Sequence, residues 1–134
     1  MITRKRNIRR WEVQFFFSYD TQNKERIQSA LLWADAPDSL ISDVSKTIDA
    51  GDFNAGFCFS NPWLRRTVLA VGKTDSGPEF LNTTVHEIVH LAQHIAQQDG
   101  IDPLSEKFAY LCGDISALVS DIVCEMSCPH CREE

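Results

Sequence analysis

Long apolar runs are missing from this chain of 134 residues, and nothing approaches the roughly twenty apolar residues that a membrane span needs. The basic residues near its start do not lead into an uninterrupted apolar stretch either, because Glu12 and Gln14 interrupt it before Phe15, Phe16 and Phe17. No secretory signal is expected from this pattern, and a soluble, cytoplasmic protein is the expectation. Glycine and proline are scarce, with six and five residues, which removes fibrous and low-complexity classes. The five cysteines are odd in number and three of them crowd the last eleven residues, so no disulfide framework is legible and reduced thiols are expected. There is no internal repeat. The length supports one hydrophobic core but not two independent lobes, hence a single domain spanning 1–134.

Thirteen basic residues face nineteen acidic ones for a net charge of −6, yet Arg4, Lys5, Arg6, Arg9 and Arg10 all lie in the first ten positions. We expect this basic arm, 1–10, to be a solvated lead-in to the first strand. No nucleic-acid recognition motif accompanies it, so nucleic acid is not an expected partner.

Trp11, Val13, Phe15 and Phe17 alternate along residues 10–19 and predict a strand with one apolar face. Ile27, Leu31 and Leu32 predict a helix over 21–33, and Leu40, Ile41, Val44 and Ile48 predict a second one between Pro37 and Gly51. Two strands, 55–59 and 66–71, follow across the turn residues Asn61 and Pro62. A long helix is expected from Pro78 to about Gln98, closed by Gly100 at C′. Asp102 as N-cap and Pro103 at N1 would then start a last helix reaching Val123. The short link makes the last two helices antiparallel neighbours. The fold class is α+β.

His86, Glu87, Ile88, Val89 and His90 spell H-E-x-x-H within the long helix. Histidines four residues apart sit one turn above each other, so both imidazoles can hold one ion while Glu87 projects beside it. That pattern suits tetrahedral Zn2+ with an open position for water, and Glu87 is placed to act as its general base. The core is expected to use a separate stripe, Val85, Ile88, Val89, Ala92, Ile95 and Ala96. The plain alternative is structural: Thr84 and Glu87 could form a capping box.

A third ligand is needed. Glu106 is the strongest candidate because it opens the next helix, with Asp99 and Asp102 behind it. His94 lies about 12 Å along the axis from His86, too far to share the ion, and is expected at the surface or behind the ligands. Tyr110, one turn after Glu106, could donate its hydroxyl to an oxyanion. Ala109 and Gly113 are small enough to let the two helices approach closely. Segment 66–71 is the expected edge strand for a peptide substrate bound by strand addition. Near the end, Cys124, Cys128 and Cys131, with His130 adjacent, could form part of a second metal site, against a loosely ordered reduced tail.

The stretch from His86 to His90, followed by Glu106-Lys107-Phe108-Ala109-Tyr110-Leu111, resembles the gluzincin pattern. More narrowly it is similar to small metallopeptidase-like proteins of bacteriophages and mobile elements, and more weakly to metallopeptidases of the ImmA/IrrE type. The resemblance covers roughly 55–122. It implies a minimal zincin-like domain: a small sheet whose edge strand packs on the H-E-x-x-H helix, and an antiparallel C-terminal helix. It further implies His86, His90 and Glu106 as zinc ligands, Glu87 as the catalytic residue, and a protein or peptide as substrate; Tyr110 joins Glu87 as a catalytic candidate on its spacing alone. No separate DNA-binding domain accompanies the pattern. Two other functions stay open at this point, a noncatalytic zinc-binding adaptor or regulator and a nucleic-acid-associated regulator using the basic arm.

Overall fold

The computed structural model describes residues 1–53 and 56–128. Its elements are β1 (Ile2–Ile8), β2 (Trp11–Tyr19), a short 3-10 turn (Thr21–Asn23), α1 (Lys24–Trp33), α2 (Asp38–Asp49), β3 (Phe57–Asn61), β4 (Arg66–Gly72), α3 (Gly77–Asp99), α4 (Glu106–Leu118) and α5 (Ser120–Ser127). The result is an α+β arrangement around one mixed sheet of four strands in the order β1-β2-β4-β3. No helix among the described residues is long and apolar enough to cross a membrane.

The basic arm is a strand, which corrects the expectation of a solvated lead-in. β1 pairs antiparallel with β2 from Ile2↔Phe17 to Ile8↔Trp11. Arg9 and Arg10 form the two-residue turn with φ of 47° and 68°, the doubly left-handed pattern of a type I′ hairpin. Asn-Gly is the usual signal for such a turn, and its absence hid the hairpin. Ile2 and Ile8 pack on the core, Arg4 pairs with Asp121 at 3.3 Å and Arg9 with Asp99 at 2.8 Å. Charges along an edge strand also discourage pairing with another chain.

β2 and β4 run parallel at the centre, from Glu12↔Arg66 to Phe17↔Val71. Both their faces are covered, which explains the unbroken Phe15-Phe16-Phe17 and Val68-Leu69-Ala70-Val71 runs. Trp11, Val13, Phe15, Phe17, Leu69 and Val71 face α3, α4 and α5, whereas Phe16, Val68 and Ala70 face α1 and α2. A bulge at Ser18, φ 65°, inserts one residue before Tyr19↔Gly72. Strict alternation would keep Tyr19 beside Phe17; the extra residue turns it onto the α1–α2 face, edge-on to Phe53.

β4 is therefore internal, and the expectation that 66–71 offers an edge is overturned: β2 occupies one side of it and β3 the other. β3 is the edge strand next to α3. Strand order is a long-range property that a local pattern of β-branched residues does not encode.

Ser76 caps α3 by accepting from Glu79 N at 3.2 Å, with Pro78 in the first turn, and Gly100 closes it at φ 70°. These limits match the sequence reading. The last helix departs from it. Ser105, not Asp102, is the N-cap, accepting from Phe108 N at 3.2 Å, while Asp102 holds Leu104 N at 2.9 Å in the preceding turn. The helix also breaks at Val119. Ser116 Oγ donates back to Cys112 O at 2.8 Å, a bond that bends helices, and the break lets Val119 and Ile122 both enter the core.

Candidate metal centre

α3 presents three kinds of surface. Ile88, Leu91, Ala92 and Ile95 point into the core under the sheet. Val85 of the expected stripe is instead 48% exposed and Val89 only half-buried, because the packing face is rotated toward Phe80, Thr84, Glu87 and Leu91. His86 and His90 are exposed, as their separate stripe predicts. Glu87 falls between the two and is 4% exposed.

The two histidines converge. Their Nε2 atoms are 3.1 Å apart and the rings stand edge to face with centroids at 4.7 Å. Two nitrogens bound to one tetrahedral zinc at about 2.0–2.1 Å would be separated by about 3.3 Å, so the pair already has the spacing of two ligands to one ion. Glu87 Oε1 lies 3.9 Å from His86 Nε2. Burial raises the Glu87 pKa above the ordinary carboxylate value, with His86 and then His90 pulling it back. A carboxylate that binds its proton more tightly than usual is a better base near neutral pH.

Thr84 is no cap: α3 begins at Gly77, two turns earlier, and the Thr84 hydroxyl is buried without a hydrogen-bond partner among the described residues. The capping-box alternative for Glu87 is thereby removed. Gly56, which precedes β3, passes close against Glu87. A Cβ there would collide with the Ala70 carbonyl oxygen and come within 3.0 Å of Glu87 Cγ and 3.2 Å of Thr83 Cγ2. Only a glycine lets the backbone pass this close. A lone glycine at a strand start is the signal in the sequence that marks such an approach.

The remaining expected residues are not gathered around the pair. Among the described residues no group of three or more His, Cys, Asp or Glu side chains is arranged to hold a metal ion. Glu106 is exposed in the first turn of α4 and Tyr110 is 68% exposed one turn later. Asp99 is committed elsewhere, bonded to Arg9 at 2.8 Å and Arg65 at 3.4 Å. Burial alone would raise the Asp99 pKa, but the two guanidiniums hold it low. Asp102 is spent on its turn. Cys124 is exposed on α5, while Cys131 and His130 lie outside the described residues, so the second metal site has no geometry to report.

His94 is neither a ligand of the pair nor a surface group. It is half-buried, stacks on His90 with centroids 6.4 Å apart, and its Nδ1 meets Ser60 Oγ of β3 at 2.7 Å. Ser60 in turn meets Thr67 Oγ1 of β4 at 2.7 Å. Burial, and then the neighbouring His90, lower the His94 pKa and favour its neutral form. Ser60 was not legible as part of this network, since the pairing depends on strand order.

The residues present thus fit part of a zinc site: two imidazoles at ligand spacing with a buried carboxylate beside them, and no third ligand grouped with them. Compared with known proteins, the chain matches no family model, no curated protein and no solved structure.

Proposed function

We propose that this protein is a zinc-dependent hydrolase acting on peptides. The observation that carries the reading is the 3.1 Å approach of His86 Nε2 and His90 Nε2 beside the buried Glu87 carboxylate. Zinc, when bound, supplies the Lewis acidity that brings the pKa of a water toward neutrality. His86 and His90 would hold the ion, and Glu87 would accept the proton of a water whose oxygen adds to the peptide carbonyl, then return it to the nitrogen as the C–N bond breaks. Glu106 as third ligand and Tyr110 as oxyanion donor belong to the proposal on their sequence pattern, and both stand exposed on α4.

β3 takes over the role first given to 66–71. Its outer edge pairs with no strand among the described residues, and it runs beside α3 from Gly56, against Glu87, to Ser60, against His94. An extended peptide added to that edge would place a backbone carbonyl near the histidine pair. A noncatalytic zinc-binding adaptor is the competing reading. A closed structural site uses four protein ligands, and an exposed two-histidine pair is further from that than from an open catalytic site.

Zinc content of the purified, untagged protein tests this directly. The expected result is about one zinc per chain, lost or weakened in His86→Ala and in Glu106→Ala. Glu87→Gln should keep the zinc and lose all peptide cleavage. A protein that takes up no zinc under zinc-replete conditions sinks the proposal, and zinc retained in Glu106→Ala removes Glu106 from it.

A further inference from the structure

His86 and His90 supply two of the four positions of a tetrahedral zinc, and among the described residues no third His, Cys, Asp or Glu is grouped with them. Both rings stand on open surface, His86 with 63% of its side chain exposed. The helix face around them differs from the rest of the chain. Charged residues make up 24% of the sequence, yet from Phe80 to Gln98 the one Asp, Glu, Lys or Arg is Glu87, and it is buried. What α3 presents to solvent around the pair is Leu81, Asn82, Val85 and Gln93. An exposed helix face is ordinarily where the charges sit. With a net charge of −6, two copies of this chain repel each other over most approaches. Two such faces meeting would bring no like fixed charges together.

Tetrahedral geometry states how they would meet. Histidines four residues apart stand one turn above each other, so the line joining their Nε2 atoms runs roughly along the axis of α3. That line is one edge of the coordination tetrahedron. The opposite edge lies at right angles to it, so a second pair of the same kind has to arrive on a helix crossing the first at about 90°. Helices crossing so steeply touch over only a turn or two each. The contact would be too small to hold without the ion that links it.

We infer that a second copy of this chain completes the site, one zinc being held by His86, His90, the partner's His86 and the partner's His90 about a twofold axis. The inference rests on the hydrolase reading only in placing zinc at this pair, and it adds a regulation of that centre. Four protein ligands leave no position for water, so the dimer is the closed form and the monomer the open one. The supply of zinc decides between them. When chains outnumber ions, each ion is shared between two chains; when ions are in excess, each pair takes its own and the link dissolves.

The test is sedimentation velocity of the full-length, untagged protein titrated with zinc, with bound zinc measured on the same samples. The chain should be monomeric in chelator, approach about twice that mass near half an ion per chain, and return toward the monomer once zinc exceeds the chains. His86→Ala and His90→Ala, at exposed positions, should fold normally and stay monomeric at every ratio. A chain that takes up zinc but stays monomeric throughout overturns the inference and leaves the zinc of the hydrolase reading in place. A dimer that survives chelator or His86→Ala overturns it too, since the interface then lies elsewhere. No zinc uptake overturns both readings. The full rise and fall in mass without peptide cleavage at excess zinc upholds the shared site and removes only the hydrolase.

Discussion

The two faces of the sheet are built from equally buried residues and differ in what else they contain. Against α1 and α2 the fully buried residues are apolar, Phe16, Ile27, Ala30, Leu31, Ala34, Ile48, Val68 and Ala70, with Tyr19 the one hydroxyl among them, and the polar bonds there, Gln28 to Ser45 Oγ and Asn61 to Ala34 O, are made by half-buried side chains. On the α3 side, buried or half-buried polar groups recur: Glu87, Thr84, the chain Thr67, Ser60 and His94, and the indole nitrogen of Trp11. Each of these costs stability that a hydrocarbon in its place would not. Groups kept at such a cost are expected where a chain does more than fold, and the hydrolase proposal draws its residues from that second face.

The sharpest way to break this contrast is Leu31→Ala, which removes a side chain with 0% exposure from the apolar face. It should lower unfolding free energy by about 2–5 kcal/mol and leave the zinc affinity of the folded protein unchanged. Denaturant unfolding and zinc titration in parallel check it, and a matching loss of zinc affinity would mean that the two faces are not separable.

Glu87→Gln should behave in the opposite sense. In metal-free protein at pH 7 it should gain about 1–2 kcal/mol, because a buried carboxylate gives way to a neutral group of the same shape. The raised pKa fixes the sign. Folded Glu87 keeps its proton after the unfolded chain has released it, so the native protein loses stability as pH rises above 4.5. The advantage of the variant should therefore vanish below that pH. Thermal melts from pH 3.5 to 7.5 would show it, and an advantage that persists at pH 3.5 contradicts the assignment.

His94 supplies a third lever with a different window. Its lowered pKa means that the unfolded chain takes up a proton first, so stability falls as pH drops below 6.5. His94→Gln should cost about 1 kcal/mol at pH 7.5 through the lost bond to Ser60, and should flatten this part of the pH profile. The same melts reveal whether the slope below 6.5 survives the substitution.

The smallest effect expected lies away from both faces. Arg10→Gly, at φ 68°, should stabilise the β1–β2 turn by about 0.5 kcal/mol, a small rise in melting temperature that leaves zinc binding untouched.

What could be read from the sequence was local. The limits of α3 follow from Pro78 and Gly100, and the convergence of His86 and His90 follows from their four-residue spacing, so helix and pair both stand where the pattern puts them. The alternating face of β2 from Trp11 to Phe17 was equally plain. What escaped depends on distant partners or on masked local signals. β1 was hidden by its arginines and by an Arg-Arg turn, and the central position of β4 exists only once β2 and β3 flank it. The bulge at Ser18 decides which face receives Tyr19, and no periodicity announces it. The burial of Glu87 depends on Gly56 arriving from another element. The grouping of Glu106 with the pair depends on how two helices return on each other, which spacing along one helix does not determine.

The parallel pairing of β2 with β4 has a consequence for how the chain reaches this state. Glu12 and Arg66 are partners across 54 positions of sequence, so the centre of the sheet closes only after α1, α2 and β3 have been threaded between them. Closing so long a loop precedes any reward from the contacts it makes, and slows folding. The β1–β2 hairpin, by contrast, can form as soon as nineteen residues exist. For that interval the three consecutive phenylalanines of β2 border an unpaired edge, the period in which the chain is most exposed to aggregation. The other side of the same hairpin is already guarded by the arginines of β1.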